Sequence, residues 1–293
     1  MRTVEWPTLG LLILVYCLWV TALWAAAYSV GLAIALAVFV ITLHASLQHE
    51  TIHGHPFPSA GLNSALVWPP LTLVIPYLRF RDTHLAHHKD CNLTDPYDDP
   101  ETNYLDPAVW AKKSPTAKAI YRANNTLLGR MLIGPVFGTV QFFRTDWQQR
   151  DRREVRRGWA WHVPSVMVVL GLLSWSPMPL WAYLIACYGA LSVLRIRTFL
   201  EHRAHHLSRA RSAIVEDRSV LALLFLNNNL HAVHHMHPSV AWYNLPGLLR
   251  DNRDRFLTAN QGYHYQSYRD VFRRYLFARK DPVPHPIWQE PKD

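Results

Sequence analysis

Cysteine is scarce. Three residues in 293, at positions 17, 91 and 187, are too few and too scattered for a disulfide framework or a Cys-based zinc site. Charge is also scarce: 17% of residues are Asp, Glu, Lys or Arg, against about 25% in a typical globular chain. No Gly/Ser linker and no repeat at a solenoid period marks a second domain. The aromatic load of 12 Trp, 13 Tyr and 11 Phe excludes a disordered chain, which needs few aromatics and high charge. What the chain has in excess is histidine, 17 in all, and arginine. The net charge of +9 admits nucleic acid, an acidic partner or a membrane surface, and position decides among them.

Mean hydropathy near zero (-0.04) averages very apolar stretches with very basic ones. Leu9–Leu43 carries no charge and is long enough for two membrane helices at about 20 residues each. The expected crossings are Leu9–Ala27 and Val30–Leu47. No small-residue cleavage site precedes a polar stretch, so a signal peptide is not the reading of this run. A second pair is expected at Trp159–Trp175 and Pro179–Ile196, joined by Ser176-Pro177-Met178-Pro179. Leu66–Leu78 and Met131–Phe143 are too short to cross and read as interfacial or re-entrant segments.

The arginines orient these helices. Arg144, Arg150, Arg152, Arg153, Arg156 and Arg157 precede the third crossing, and Arg195, Arg197 and Arg203 follow the fourth. The two tight turns carry no Lys or Arg. By the positive-inside rule both termini and the polar body are cytoplasmic. The membrane thus accounts for the basicity, and no nucleic-acid partner is expected. The expected fold is all-α, an integral membrane protein of about four helices in two hairpins with a cytoplasmic helical cap. A single domain is expected over residues 1–293, with hairpins at 9–47 and 159–196 and the cap formed by 48–158 and 197–293.

The histidines gather in four places: His44, His49, His53 and His55; His84-Leu85-Ala86-His87-His88; His202, His205 and His206; and His231-Ala232-Val233-His234-His235 with His237. On a helix, positions i, i+3 and i+4 fall within about 60° of one another. An H-x-x-H-H run therefore aims three imidazoles at one point, and imidazole is a good neutral ligand for iron, zinc and copper. Eight or nine convergent imidazoles exceed what one ion takes, so two metals are expected. His162, His264 and His285 stand alone and are read as structural. His55 and His237 each precede a proline, which ends the helical phase, and are read as outside the shell.

Three other chemistries bear on the same residues. His49-Glu50-Thr51-Ile52-His53 is formally the H-E-x-x-H of zinc metalloproteases, with Glu50 as base, but that reading leaves both H-x-x-H-H runs unexplained. A carboxylate-bridged di-iron bundle needs two Glu-x-x-His pairs, and Glu50/His53 is the only one. A metal transporter needs ionisable groups near the membrane midplane, whereas these clusters sit at the helix ends.

His49-x-x-x-His53, His84-x-x-His87-His88 and His231-x-x-His234-His235 resemble the three histidine boxes of the integral-membrane fatty acid desaturase and hydroxylase superfamily. Asn227-Asn228-Asn229-Leu230 before the last box, and Pro238 with Trp242-Tyr243-x-Leu245-Pro246 after it, resemble bacterial acyl desaturases. Arg197-Thr198-Phe199-Leu200-Glu201-His202 resembles the element that supplies a further ligand. The resemblance implies two non-haem irons held by His49, His53, His84, His87, His88, His202, His231, His234 and His235, with dioxygen as co-substrate and no catalytic residue beyond these ligands. His44 lies about 140° from His49 on a straight helix, so the His49/His53 pair is preferred. His202-Arg203-Ala204-His205-His206 is itself an H-x-x-H-H run, and His205 and His206 are read as spare because the run from His231 carries the family's flanking residues.

The activity so implied is oxygen-dependent removal of two hydrogens from adjacent methylenes of a fatty acyl lipid. The alternative within the superfamily is hydroxylation or ketolation of a lipid or carotenoid. The expected setting is the bacterial inner membrane with the site on the cytoplasmic side. Lacking a strand-linked G-x-G-x-x-G, a cysteine set for an iron–sulfur cluster and a fused cytochrome b5 segment, the chain is expected to take electrons from a separate ferredoxin-, rubredoxin- or cytochrome b5-like donor on its basic face. Asp82, Asp90, Asp95, Glu50, Glu201 and Asn229 are candidates, by nearness in sequence, for the groups that fix the imidazole tautomers.

Overall fold

The computed structural model describes residues 4–89 and 93–289. In chain order its helices are α1 (Trp6–Ala25), α2 (Val30–Ile52), α3 (Ala60–Leu66), α4 (Tyr77–Lys89), α5 (Pro107–Ala111), α6 (Pro115–Asn124), α7 (Leu127–Leu132) and α8 (Gly134–Gln148), then α9 (Arg153–Ser174), α10 (Leu180–Thr198), α11 (Val220–Leu224), α12 (His231–Met236), α13 (Leu245–Asp251), α14 (Arg253–Ala259) and α15 (Tyr268–Tyr275). The only strands among the described residues are β1 (Ile214–Val215) and β2 (His264–Tyr265), a parallel pair with Ile214 opposite His264 and Val215 opposite Tyr265. The chain divides into two compact units. One takes residues to Asp82, Pro135–Leu194 and Leu223–Leu226, and the other takes Thr83–Gly134, Arg195–Ala222 and Asn227 onward.

In the first unit, α1 and α2 form the expected hairpin. Pro7 stands in the first turn of α1, where a missing N–H costs nothing, and Ser29 caps α2 by accepting from the Leu32 N–H at 3.3 Å. Both helices are apolar nearly all round, and Ile13, Leu14, Val20, Trp24 and Leu32 point outward. Such a helix belongs in a core or in lipid. Three helices among the described residues are long and apolar enough to cross a membrane: α1, α2 and α10. The crossing expected at Trp159–Trp175 lies within the helix α9, which falls short of the other three. Its first half carries Arg153, Glu154, Arg156, Arg157, His162 and Pro164.

The short apolar runs differ from each other. Leu66–Leu78 is largely irregular, whereas Met131–Phe143 is mostly helical within α7 and α8. Irregular backbone among apolar helices needs partners for its carbonyls. Tyr183 Oη donates to the Leu71 carbonyl at 2.8 Å and accepts from Trp19 Nε1 at 3.2 Å, and Gln48 Nε2 donates to the Val67 carbonyl at 3.0 Å. Arg79 makes a buried bidentate pair with Asp146, which also accepts from Trp159 Nε1. Gly158 is required there, because a Cβ would lie 2.6 Å from Arg79 Cγ.

The second unit packs short helices around a core of Ile214, Leu230, Ala232, Val233, Leu245, Leu249 and Phe256. The last box is built into this core: Ala232 and Val233 of α12 face it, and their neighbours His231 and His234 are buried too. The parallel β1–β2 pair and a bridge between His202 and Ser212 hold the segment after α10 against the rest of the unit.

Candidate metal centre

In the first unit, α2 runs past the expected crossing to Ile52 and so carries the first box on its final turn. His49 and His53 are brought together there, ring centroids 4.9 Å apart. His44 faces elsewhere, as its helical phase predicts. Its Nε2 is 3.2 Å from Tyr16 Oη, and that hydroxyl donates to the Leu66 carbonyl at 2.6 Å. The hydroxyl therefore accepts from His44 Nε2–H. His55 is held by Glu5 at 2.7 Å, with Glu50 at 3.8 Å on its other nitrogen.

The second unit brings seven histidines together in two adjacent groups. His84 and His88 of α4 meet His234 of α12, their ligand nitrogens within 4.8 Å of one another and His88 Nε2 3.2 Å from His234 Nε2. His87, His202, His231 and His235 form the other group. His202 Nε2 stands 3.0 Å from His87 Nε2 and 3.1 Å from His231 Nε2, and His231 Nε2 is 3.0 Å from His235 Nε2. The two groups touch where His88 stacks on His235 at 4.2 Å between centroids.

The opposite edges of these rings are occupied. Nδ1 of His84 faces Glu101 at 2.9 Å, that of His87 faces Asp99 at 2.8 Å, that of His202 faces Ser212 at 3.2 Å and that of His231 faces Asn228 Oδ1 at 3.1 Å. The carboxylates can only accept, so His84 and His87 each carry a proton on Nδ1 and turn Nε2 toward the cluster. The inward Nε2 atoms lie about 3 Å apart, close enough for a single cation to be shared among them. This donor set of neutral imidazoles with anchored tautomers fits a divalent transition metal in each group.

Protonation follows the same logic. Burial, with the neighbouring histidines, pushes His88 down to about 3 and holds His202, His231 and His235 well below the ordinary imidazole value. Neutral imidazole is the ligating form. Burial also works against charge on His87, but Glu101 and Asp99 outweigh it and raise the group to about 9. These acids thus favour a positive charge at that spot. Burial pushes Glu101 upward, yet His87 and His84 hold its carboxyl well below the usual range.

A family model described as fatty acid desaturase matches residues 22–267. The chain belongs to the fatty acid desaturase family. A beta-carotene ketolase from Paracoccus sp. (strain N81106 / MBIC 01143) is 24% identical over 221 residues, covering 73% of this chain and 74% of the ketolase. Membership makes the chain an oxidoreductase of the membrane desaturase and hydroxylase superfamily, with a lipid substrate and membrane association.

Within this desaturase-family chain the tautomer-fixing groups are mostly not those expected from nearness in sequence. Asp82 pairs with Arg81 at 2.8 Å. Asp95 accepts from the N–H groups of Tyr97 and Asp98 and from Trp288 Nε1. Asn229 donates to the Val215 carbonyl at 2.6 Å, and its neighbour Asn228 meets His231 instead. Glu50 lies beside His55. Glu201 approaches His231 at 3.8 Å but is claimed by Arg197 at 2.8 Å. Asp90 lies outside the described residues. The partners that do the work, Asp99 and Glu101, stand 12 and 17 residues past their histidines. The acidic run Asp95-Pro96-Tyr97-Asp98-Asp99-Pro100-Glu101 was the available signal.

The remaining histidines lie in neither group. His205 Nδ1 accepts from the Leu207 N–H at 3.1 Å, and His206 is exposed. His237 packs its ring on Phe256, His162 on Trp159, and His264 pairs with Glu216 at 2.8 Å. His285 does not stand alone: its Nε2 is 3.1 Å from Thr94 Oγ1, and the Thr94 N–H donates to Asp99.

Proposed function

We propose that this chain is a membrane-bound di-iron enzyme that uses dioxygen to oxidise the hydrocarbon chain of a lipid, introducing a double bond into a fatty acyl chain. The observation that carries the reading is the set of imidazole Nε2 atoms converging at about 3 Å with the rings' other edges anchored. His84, His88 and His234 would hold one iron and His87, His202, His231 and His235 the other, with His49 and His53 the further ligands that the resemblance implies. Two irons in an all-histidine shell supply dioxygen activation strong enough for unactivated C–H bonds. The protein keeps His88, His202, His231 and His235 neutral through burial, orients the rings through Asp99, Glu101, Asn228 and Ser212, and carries the counter-charge on Asp99 and Glu101.

In this reading α9 is the fourth crossing, completing a hairpin with α10. Trp161, Val163, Met167 and Leu172 on its outer surface are the side chains expected of a lipid-facing helix. The arginines flanking the second hairpin support a site on the cytoplasmic side of a bacterial inner membrane. A separate ferredoxin-, rubredoxin- or cytochrome b5-like protein delivers electrons to that basic face.

The second reading is ketolation or hydroxylation of a carotenoid or similar lipid, favoured by the likeness to the Paracoccus protein named as a ketolase. Lipid mass spectrometry of expressing cells separates the two. The proposal expects acyl chains lighter by two hydrogens. Gain of oxygen on a carotenoid, with acyl chains unchanged, would replace it by the second reading.

A further inference from the structure

Two arginines of the second unit lie against one glycine without an acidic partner. A Cβ on Gly134 would meet Arg130 Cδ at 3.0 Å, Asn124 Oδ1 at 3.3 Å and Arg195 Cγ at 3.5 Å. All three side chains therefore line one spot. Arg130 is 4% exposed. Its Nε donates to the Asn124 carbonyl at 2.8 Å, it bonds the Asn103 side chain, and its guanidinium lies over the Phe199 ring. Every one of these partners is neutral. The Arg195 side chain has no hydrogen bond or ion pair among the described residues.

Buried charge is normally paired, because an uncompensated guanidinium loses its hydration for nothing. Here burial, and then the charge of Arg195, disfavour the charge on Arg130, offset only in part by Asp281. The nearby carboxylates are already engaged. Asp281 meets Lys280 and Tyr104, Glu201 meets Arg197, and Glu101 meets His84, all at 2.8–2.9 Å. Asn124 adds a buried amide whose Oδ1 has no hydrogen-bond partner, and rotation of that amide presents its NH₂. A side chain at position 134 would crowd these groups, and the glycine avoids it.

We propose that Arg195 and Arg130, with Asn124 and Gly134, form an oxyanion site that takes the negatively charged headgroup of the lipid substrate, a carboxylate or a phosphate. Guanidinium forks match both groups. Arg195 stands near the C-terminal end of the membrane-length helix α10, the level at which a lipid headgroup lies. The inference rests on the lipid-oxidising reading and deepens it, since a carotenoid hydrocarbon has no anion to place there.

The test is direct binding to the full chain purified in an uncharged detergent, with stearate, dioleoyl phosphatidate and the neutral methyl stearate as probes. Wild-type protein is expected to bind one or both anions, and Arg195→Gln to lose at least about tenfold in affinity for them with methyl stearate unchanged. Loss confined to stearate assigns a carboxylate, and loss confined to phosphatidate assigns a phospholipid phosphate. Arg195→Lys, which keeps one charge without the fork, is expected to fall between, and serves as the readout if the Gln variant does not fold. Equal binding of the anions by wild type and either folded variant, or methyl stearate binding as well as stearate, overturns the site. Binding requires neither iron nor a donor, so the two proposals fail separately. An acyl desaturase indifferent to Arg195 sinks the site alone, and a ketolase that still binds stearate through Arg195 sinks the acyl reading alone.

Discussion

Two segments of this protein share the spacing H-x-x-H-H and meet opposite fates. From His231 the run is the helix α12, and all three imidazoles reach the cluster. From His202 the run is not helical. His202 bridges to Ser212, and the Arg203 N–H donates to the Arg211 carbonyl at 2.8 Å, while the Arg203 guanidinium lies 4.4 Å above the Tyr263 ring. His202 alone enters the cluster, and His205 and His206 turn away. Spacing aligns ligands only where the backbone keeps the helical period. The run at 231–235 keeps it because Ala232 and Val233 are buried in an apolar core, whereas the corresponding first position after His202 is the charged Arg203.

The comparison breaks most sharply at the ligands themselves. His234→Ala, His87→Ala and His202→Ala are each expected to abolish activity and lower iron content. The double variant His205→Ala/His206→Ala is expected to retain both, as measured by metal analysis and product mass. Full activity in His234→Ala would dissolve the assignment of α12.

A smaller effect is expected one layer out. Asp99→Asn keeps a hydrogen-bond acceptor for His87 and removes the charge, and iron affinity should fall roughly 10- to 100-fold. Asn229→Ala should leave iron affinity unchanged, since that side chain serves the Val215 carbonyl, whereas Asn228→Ala should weaken it. Competition with a chelator reads these differences.

Acid should act on the metal-free protein in a defined direction. His88 is held at about 3, and His202, His231 and His235 are held low with it, against 6.5 for ordinary imidazole. Their unfolded forms take up protons near 6.5, so the stability they contribute is complete above that pH and drains as pH falls toward 3. His87, raised to about 9, contributes oppositely: its share is complete below 6.5 and is lost as pH rises through 9. Thermal melts of metal-free protein should peak near neutral pH, and Asp99→Asn should flatten the alkaline limb. An alkaline limb unchanged by that substitution would contradict the His87 assignment.

The smallest expected effect concerns His285. It braces Thr94, whose N–H holds Asp99, so His285→Ala should cost about 1 kcal/mol of stability with full iron occupancy.

How much of this was legible beforehand divides along physical lines. The apolar hairpin Trp6–Ile52 and the helix Leu180–Thr198 were readable because long uncharged runs have few alternatives. Among the expected ligands, the seven histidines gathered in the second unit include two H-x-x-H-H runs that helical arithmetic marks, and His202, which only the resemblance marked. The groups behind them were not readable. Asp99 and Glu101 reach their histidines through a turn of Asp95–Glu101, whose geometry no periodicity encodes. Choosing Asn228 over Asn229 depends on a single step of backbone direction before α12. The crossing expected at Trp159–Trp175 is less plain than the other three, because His162 and Pro164 interrupt it and the start of α9 is charged.

Metal stoichiometry is the most direct measure of the centre. Full-length protein purified in detergent from iron-replete cells, and the same protein stripped and reconstituted, should hold about two irons per chain, with both lost together when His88 or His235, the stacked pair joining the two groups, is replaced. One zinc per chain with little iron, persisting after iron reconstitution, would contradict a two-iron centre and return the His49-Glu50-x-x-His53 motif to consideration.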